Sequence, residues 1–126
     1  MEQLIAHAFG DYVLQSDWMA LKKRKSFGIA LVHALTYGLP FLLLQPSLLA
    51  WLVIVVSHAL IDRFAIAKYI GFLKNHFAPV ESWPSWEKTN ATGYDEEKPV
   101  WMSTWLFIIT DNALHLAINY AALRWL

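Results

Sequence analysis

The sequence predicts an all-α protein, a polytopic membrane helical bundle with three long apolar spans and a polar-faced N-terminal helix, four helices in total. Three observations carry this. Hydrophobic residues make up 57% of the chain and charged residues only 16%, against about 25% charged in an average soluble domain. Apolar runs reach the roughly 20 residues that a helix needs to cross a bilayer. The polar residues inside those runs recur every four positions, which is helical spacing.

The first span runs from Phe27 to Leu44 and is interrupted by His33, Thr36, Tyr37, Gly38 and Pro40. The second starts at Leu48, and its helix extends to about residue 73. Only Gln45-Pro46-Ser47 separates the two, so they form a tight helical hairpin, with Pro46 suited to opening the second helix. The third covers about residues 100–123. The stretch of about residues 2–22 carries His7, Gly10, Asp11, Gln15, Ser16 and Asp17. Its polar residues fall on one stripe, which favours a helix packed inside the bundle over a re-entrant or interfacial one. It lacks the basic start and small-residue cleavage site of a signal peptide. Residues 75–99 are the one long polar stretch, with Pro79, Pro84, Gly93, Pro99 and the acidic run Asp95-Glu96-Glu97, and read as a loop. All 126 residues are expected to form a single membrane-embedded domain.

Lys22-Lys23-Arg24-Lys25 closes the first helix. By the positive-inside rule this cluster and the 75–99 loop lie on the cytoplasmic side of a multi-pass protein. A formal net charge of zero provides no basic field for nucleic acid, and the absence of cysteine excludes disulfides, thiolate metal sites and cysteine nucleophiles. The expected partners are the lipid bilayer and a membrane protein or a second copy of the chain.

The histidines and aspartates carry the chemistry. His7 and Asp11, His58 and Asp62, and Asp111 and His115 are each four residues apart, so both members share a helix face. Random placement of five histidines and five aspartates gives about 0.4 such pairs; three occur, all in apolar segments. Gln15 extends the first stripe, Asn119 extends the third, and His33 adds an imidazole from the first span. A charged aspartate at mid-bilayer costs about 2.5–3.5 kcal/mol on insertion scales. A divalent cation offsets that cost best, because imidazole and carboxylate are natural ligands. Asp11, His58, Asp62, Asp111 and His115 are the candidate metal ligands. His7 and His33 are candidate catalytic groups, as further ligands or as a general base. Zinc is the first choice of metal, with manganese and iron the alternatives for a nitrogen and oxygen donor set. On a straight first helix Asp11 lies about 15–20 Å from the basic cluster and His33 only about 10 Å, so convergence requires that helix to tilt or protrude. His76 reads as a surface residue, Asp17 as facing the headgroups, and Arg63 as a snorkelling anchor.

Three functions fit. One is a metal-dependent hydrolase acting on a phosphoester or lipid-associated substrate. The second is metal or proton transport. The third is a non-catalytic interaction protein in which hydrogen-bonded His/Asp pairs or a metal staple the bundle.

The run His7-Ala-Phe-Gly-Asp11-Tyr-Val-Leu-Gln15-Ser-Asp17-Trp-Met-Ala with Lys22-Lys23, followed by His33, His58-Ala-Leu-Ile-Asp62 and Asp111-Asn-Ala-Leu-His115, resembles the domain-of-unknown-function 3307 family over nearly the whole chain. Many relatives carry Asp-Gln where this chain has Asp111-Asn112, a departure that keeps the carboxylate. The resemblance implies a small inner-membrane protein of bacteria or their phages and implies no activity.

Overall fold

A computed structural model describes all 126 residues. The fold is all-α without strands. Its helices are α1 (Glu2–Ala8), α2 (Asp17–Lys22), α3 (Phe27–Gly38), α4 (Leu48–Phe64), α5 (Ile66–Lys74), α6 (Trp86–Thr89) and α7 (Val100–Trp125). The chain divides into two compact units, residues 1–64 with 115–126, and residues 65–114.

In the first unit, the helix expected over residues 2–22 is three pieces. After α1 the backbone widens into a π-helical turn, Phe9–Val13, closed by the Leu14 amide donating to the Phe9 carbonyl at 3.0 Å. Such turns insert one extra residue and are concentrated at functional sites; here the turn carries Asp11. The helix then stops. Ser16 adopts extended backbone and its hydroxyl caps α2 by accepting the Met19 amide. Ser26 caps α3 in the same way through the Ile29 amide. A 3-10 turn, Pro40–Leu44, follows α3 and ends at Gln45, which is left-handed (φ 51°). Ser47 accepts the Ala50 amide at 3.0 Å at the start of α4.

Packing in this unit depends on two glycines. A Cβ on Gly10 would sit 2.6 Å from Tyr37 Cδ2 and 2.8 Å from the Tyr37 carbonyl oxygen. The π-helical turn therefore lies directly on the α3 backbone. A Cβ on Gly38 would meet Val55 Cγ2 at 2.6 Å. Trp51 exploits the same closeness, donating from Nε1 to the Gly38 carbonyl at 2.9 Å. Tyr37, Phe41 and Ile54 form the fully buried centre with Ala6, Ala50 and Ala122. Gly10→Ala cannot be absorbed by a rotamer change, because one clash is with backbone. It is expected to destabilise the protein by about 1–3 kcal/mol, the usual cost of overpacking, read as a lower unfolding midpoint in detergent.

The second unit contains α5, α6 and the first part of α7. The expected helix over residues 48–73 is interrupted at Ala65, which is left-handed (φ 50°), a conformation that costs an alanine about 1–2 kcal/mol. The polar stretch of residues 75–99 is folded rather than a simple linker. It holds 3-10 turns at Asn75–Phe77 and Val80–Ser82 as well as α6. Trp86 stacks on Tyr69 at 5.2 Å between centroids. Gly93 has φ +84°, and a Cβ there would lie 2.0 Å from the Lys68 carbonyl oxygen. The Tyr94 hydroxyl reaches Thr110 Oγ1 at 3.2 Å. Ala65, Ala67 and Phe107 form the core of this unit.

Two segments are long and apolar enough to cross a membrane, Phe27–Leu44 and Val100–Trp125. The 17-residue α4 qualifies only when joined across Ala65 to residues 66–77. Only 33% of the first segment and 22% of the second is buried inside the protein, so most of their apolar surface faces outward. Lipid is the solvent that such surfaces fit.

Candidate metal centre

Four side chains from three elements meet in the first unit. Asp11 comes from the π-helical turn, His33 from α3, and His58 and Asp62 from α4. The two histidines are fully buried and the two carboxylates nearly so (8% and 5% exposed). His58 Nε2 lies 3.0 Å from His33 Nε2. Asp11 Oδ1 is 3.3 Å from each of these nitrogens. Asp62 Oδ2 is 3.2 Å from His33 Nε2 and 3.1 Å from His58 Nε2.

A single proton or lone pair on each ring nitrogen cannot serve all of these contacts at once. Each Nε2 offers one N–H or one lone pair, yet each has three polar atoms within 3.3 Å. The Nδ1 atoms of both rings have no hydrogen-bond partner, so the polar chemistry of both imidazoles faces the cluster. A cation at the centre satisfies all four donor atoms together. Metal–ligand distances of about 2.0–2.1 Å place tetrahedral ligand atoms about 3.3 Å apart, close to the five separations observed. The group could therefore hold a metal ion.

Asp11 lies in the turn that precedes the candidate spans. Burial alone would raise its pKa. Hydrogen bonds from His33 and His58, and the electrostatic attraction of His58 and His115, outweigh burial and hold it well below the usual carboxylate range.

The outer carboxylate oxygens face two more histidines. Asp11 Oδ2 is 3.6 Å from His7 Nδ1, and Asp62 Oδ1 is 3.9 Å from His115 Nε2. His115 packs on His58 with ring centroids 4.1 Å apart. His33, a candidate proton-transfer group from sequence, stands inside the quartet, whereas His7 and His115 stand outside it. Asp111 lies one turn before His115 on α7, half-buried in the second unit. Asn119 and Gln15, which extended the polar stripes, are engaged by Tyr37 and Lys23 respectively. Asp17 is exposed in the first turn of α2, and Arg63 donates to the Arg24 carbonyl at 2.7 Å.

Sequence reasoning missed two participants. Tyr37 is fully buried and stacks on His58, with centroids 3.6 Å apart and planes 14° from parallel. Its hydroxyl is 2.8 Å from His7 Nδ1 and accepts from Asn119 Nδ2 at 2.6 Å. A tyrosine in an apolar helix resembles any core aromatic, and only its position one turn after His33 hinted otherwise. Lys23 was assigned to the basic surface cluster. Instead its ammonium donates to Asp62 Oδ2 at 2.8 Å and to Gln15 Oε1 at 2.7 Å, and lies 3.4 Å from His33 Nε2. Tyr37→Phe leaves a buried amide and imidazole without their shared partner. The expected cost is about 1–3 kcal/mol of stability, measured as a drop in unfolding midpoint, with the helical circular dichroism of the folded protein unchanged.

Comparison with curated proteins and with solved structures finds no match. The profile of the family described as "Protein of unknown function (DUF3307)" matches residues 1–124. With essentially the whole chain covered, the protein belongs to this family.

Proposed function

We propose that this is an integral membrane protein that binds one divalent metal ion, first of all zinc, through Asp11, His33, His58 and Asp62. The observation that carries the reading is the mutual approach of four donor atoms that their own protons cannot satisfy. Nitrogen and oxygen donors at tetrahedral spacing suit zinc, with manganese and iron as alternatives. Four protein ligands complete a tetrahedral set, and sites of that kind hold structure. The ion would tie the π-helical turn to α3 and α4, adding to the close packing at Gly10 and Gly38. Asp111 and His115 fall to an outer role in this reading. The chain would sit in a bacterial inner membrane with Lys22, Arg24 and Lys25, all exposed, on the cytoplasmic side.

One observation favours a second reading, metal-dependent hydrolysis of a phosphoester or lipid-associated substrate. Lys23, its side chain 16% exposed, reaches from the basic cluster to Asp62, and so brings a positive charge suited to an anionic substrate to the edge of the quartet. A bound metal would supply electrophilic activation there, and His7, 3.6 Å from Asp11 Oδ2, would accept a proton.

The test is metal content by mass spectrometry on detergent-purified protein, wild type beside His58→Ala/Asp62→Ala. One equivalent in the wild type, lost in the variant, is expected. A folded wild type that carries no metal and takes up neither zinc nor manganese would refute the proposal. Cleavage of a generic phosphodiester by the loaded wild type would then select the hydrolytic reading, and its absence the structural one.

A further inference from the structure

We infer that α5 and the turn after it lie in the bilayer interface as an anchor on anionic lipid, with Tyr69, Leu73 and Phe77 toward the acyl chains and Lys68 and Lys74 toward the headgroup phosphates. The inference rests on the reading of this chain as a membrane protein and is independent of any metal. One face of α5 is already taken up by the second unit. Ala67 is fully buried in the core with Phe107. Gly71, one turn later, is also buried, and a Cβ there would lie 3.1 Å from Tyr94 Cε2. The other face points outward. Tyr69, Leu73 and Phe77 recur along it every four residues, all exposed, and Phe77 is 94% exposed. That spacing makes one continuous apolar stripe, which the exposed Val80 extends.

The charges of this segment specify the surface. Residues 65–80 contain two lysines and no acidic residue, and the first acid, Glu81, follows directly after them. Lys68 Nζ lies over the Tyr69 ring at 5.0 Å, and Lys74 Nζ over the Tyr94 ring at 4.8 Å, so both ammoniums are held beside aromatic rings. A short helix with an apolar stripe and only basic charge has the composition of one that lies in the membrane plane. Lysines at that level are attracted by anionic headgroups. At nine residues, α5 is about 14 Å long, too short to cross a bilayer.

The depth agrees. In the same unit α7 begins a segment long and apolar enough to cross a membrane, and Trp101 and Trp105 near its start are exposed. Exposed tryptophans gather at the headgroup level. Phe107, which shares a buried core with Ala67 of α5, follows Trp101 by six residues, about 9 Å along the helix. An interfacial helix sits about 5–10 Å into the boundary between headgroups and acyl chains, which is the level at which α7 holds α5.

The chain has no cysteine, so single-cysteine variants can each carry one environment-sensitive fluorophore. Leu73→Cys, Phe77→Cys, Lys88→Cys, Glu97→Cys and Ile109→Cys, all at exposed positions, are made in the full chain and reconstituted in vesicles of phosphatidylcholine and phosphatidylglycerol. Lipids bearing a nitroxide on the acyl chain are expected to quench the labels at 73, 77 and 109 at least twofold more than those at 88 and 97. Leaving out phosphatidylglycerol, or introducing Lys68→Gln/Lys74→Gln, should lower quenching at 77 at least twofold while quenching at 109 holds. Quenching at 109 without quenching at 77 would overturn the anchor and leave the membrane reading standing. Quenching at neither position would remove the membrane reading, and the anchor with it. Blue-shifted emission at 77 without lipid quenching would put protein, such as a second copy of the chain, on the stripe and overturn the anchor. Quenching at 77 that is indifferent to both lipid charge and the lysines would overturn the assignment to anionic lipid.

Discussion

Asp62→Ala is expected to be the most damaging single substitution in this protein. Asp62 lies within 3.2 Å of two imidazoles and accepts the Lys23 ammonium at 2.8 Å, and its other oxygen faces His115. Removing the carboxylate takes away one candidate metal ligand and leaves a half-buried ammonium without its anion. Deleting one partner of a buried charged pair costs about 3–5 kcal/mol, a large part of a typical total stability of about 5–15 kcal/mol. The expected result is a folded fraction that collapses in mild detergent, read by circular dichroism and by the unfolding midpoint. The same carboxylate-to-apolar change should be far milder when the ammonium goes with it. Lys23→Met/Asp62→Leu is therefore expected to recover at least half of the lost stability while staying unable to bind metal. If the double variant is as unstable as Asp62→Ala, the ion pair with Lys23 is not the source of the damage.

The parts of this site that could be read from the sequence are those encoded within one helix. His58 and Asp62 are four residues apart on α4, and their meeting follows from the helical repeat alone. The meeting of His33 with them follows less directly, from the three residues Gln45-Pro46-Ser47 between the two apolar runs, which predict that the helices of those runs lie side by side. Asp11 is different. On a straight helix it lies too far from the basic cluster to meet His33, and what brings it in is the π-helical turn and the break at Ser16. The π-helical turn has no sequence signature beyond Gly10, whose missing side chain lets it rest on Tyr37, whereas the break carries only the capping serine Ser16. The break at Ala65 was equally hidden, because alanine has no preference for the left-handed region and only tertiary packing imposes it. The polarity of residues 75–99 predicts no more than a loop. Their aromatic residues, Trp86 and Tyr94 above all, were the signal that the stretch packs as part of a folded unit.

Lys23 leads to the second large effect, on metal affinity. Its ammonium is 2.8 Å from Asp62 Oδ2 and 3.4 Å from His33 Nε2, and both atoms belong to the candidate ligand set. Without metal this ammonium offsets the charge of the buried carboxylates. With metal bound it is a like charge a few ångströms away. Two unit charges about 4 Å apart interact by about 4 kcal/mol at an effective dielectric constant near 20, and a divalent ion doubles that. Even a small remaining share of this repulsion is large on the scale of binding, where about 1.4 kcal/mol is a factor of ten. Lys23→Met should therefore bind zinc at least tenfold more tightly than wild type in a competition with a chromophoric chelator. The same variant should be less stable than wild type after the metal is stripped, because Asp62 then lacks its counter-charge. The two effects have opposite signs, which separates this account from a purely structural lysine, whose loss would weaken the apo and metal-loaded proteins alike. Zinc affinity that is unchanged or weaker in Lys23→Met would show that the lysine orients Asp62 for the ion instead of competing with it.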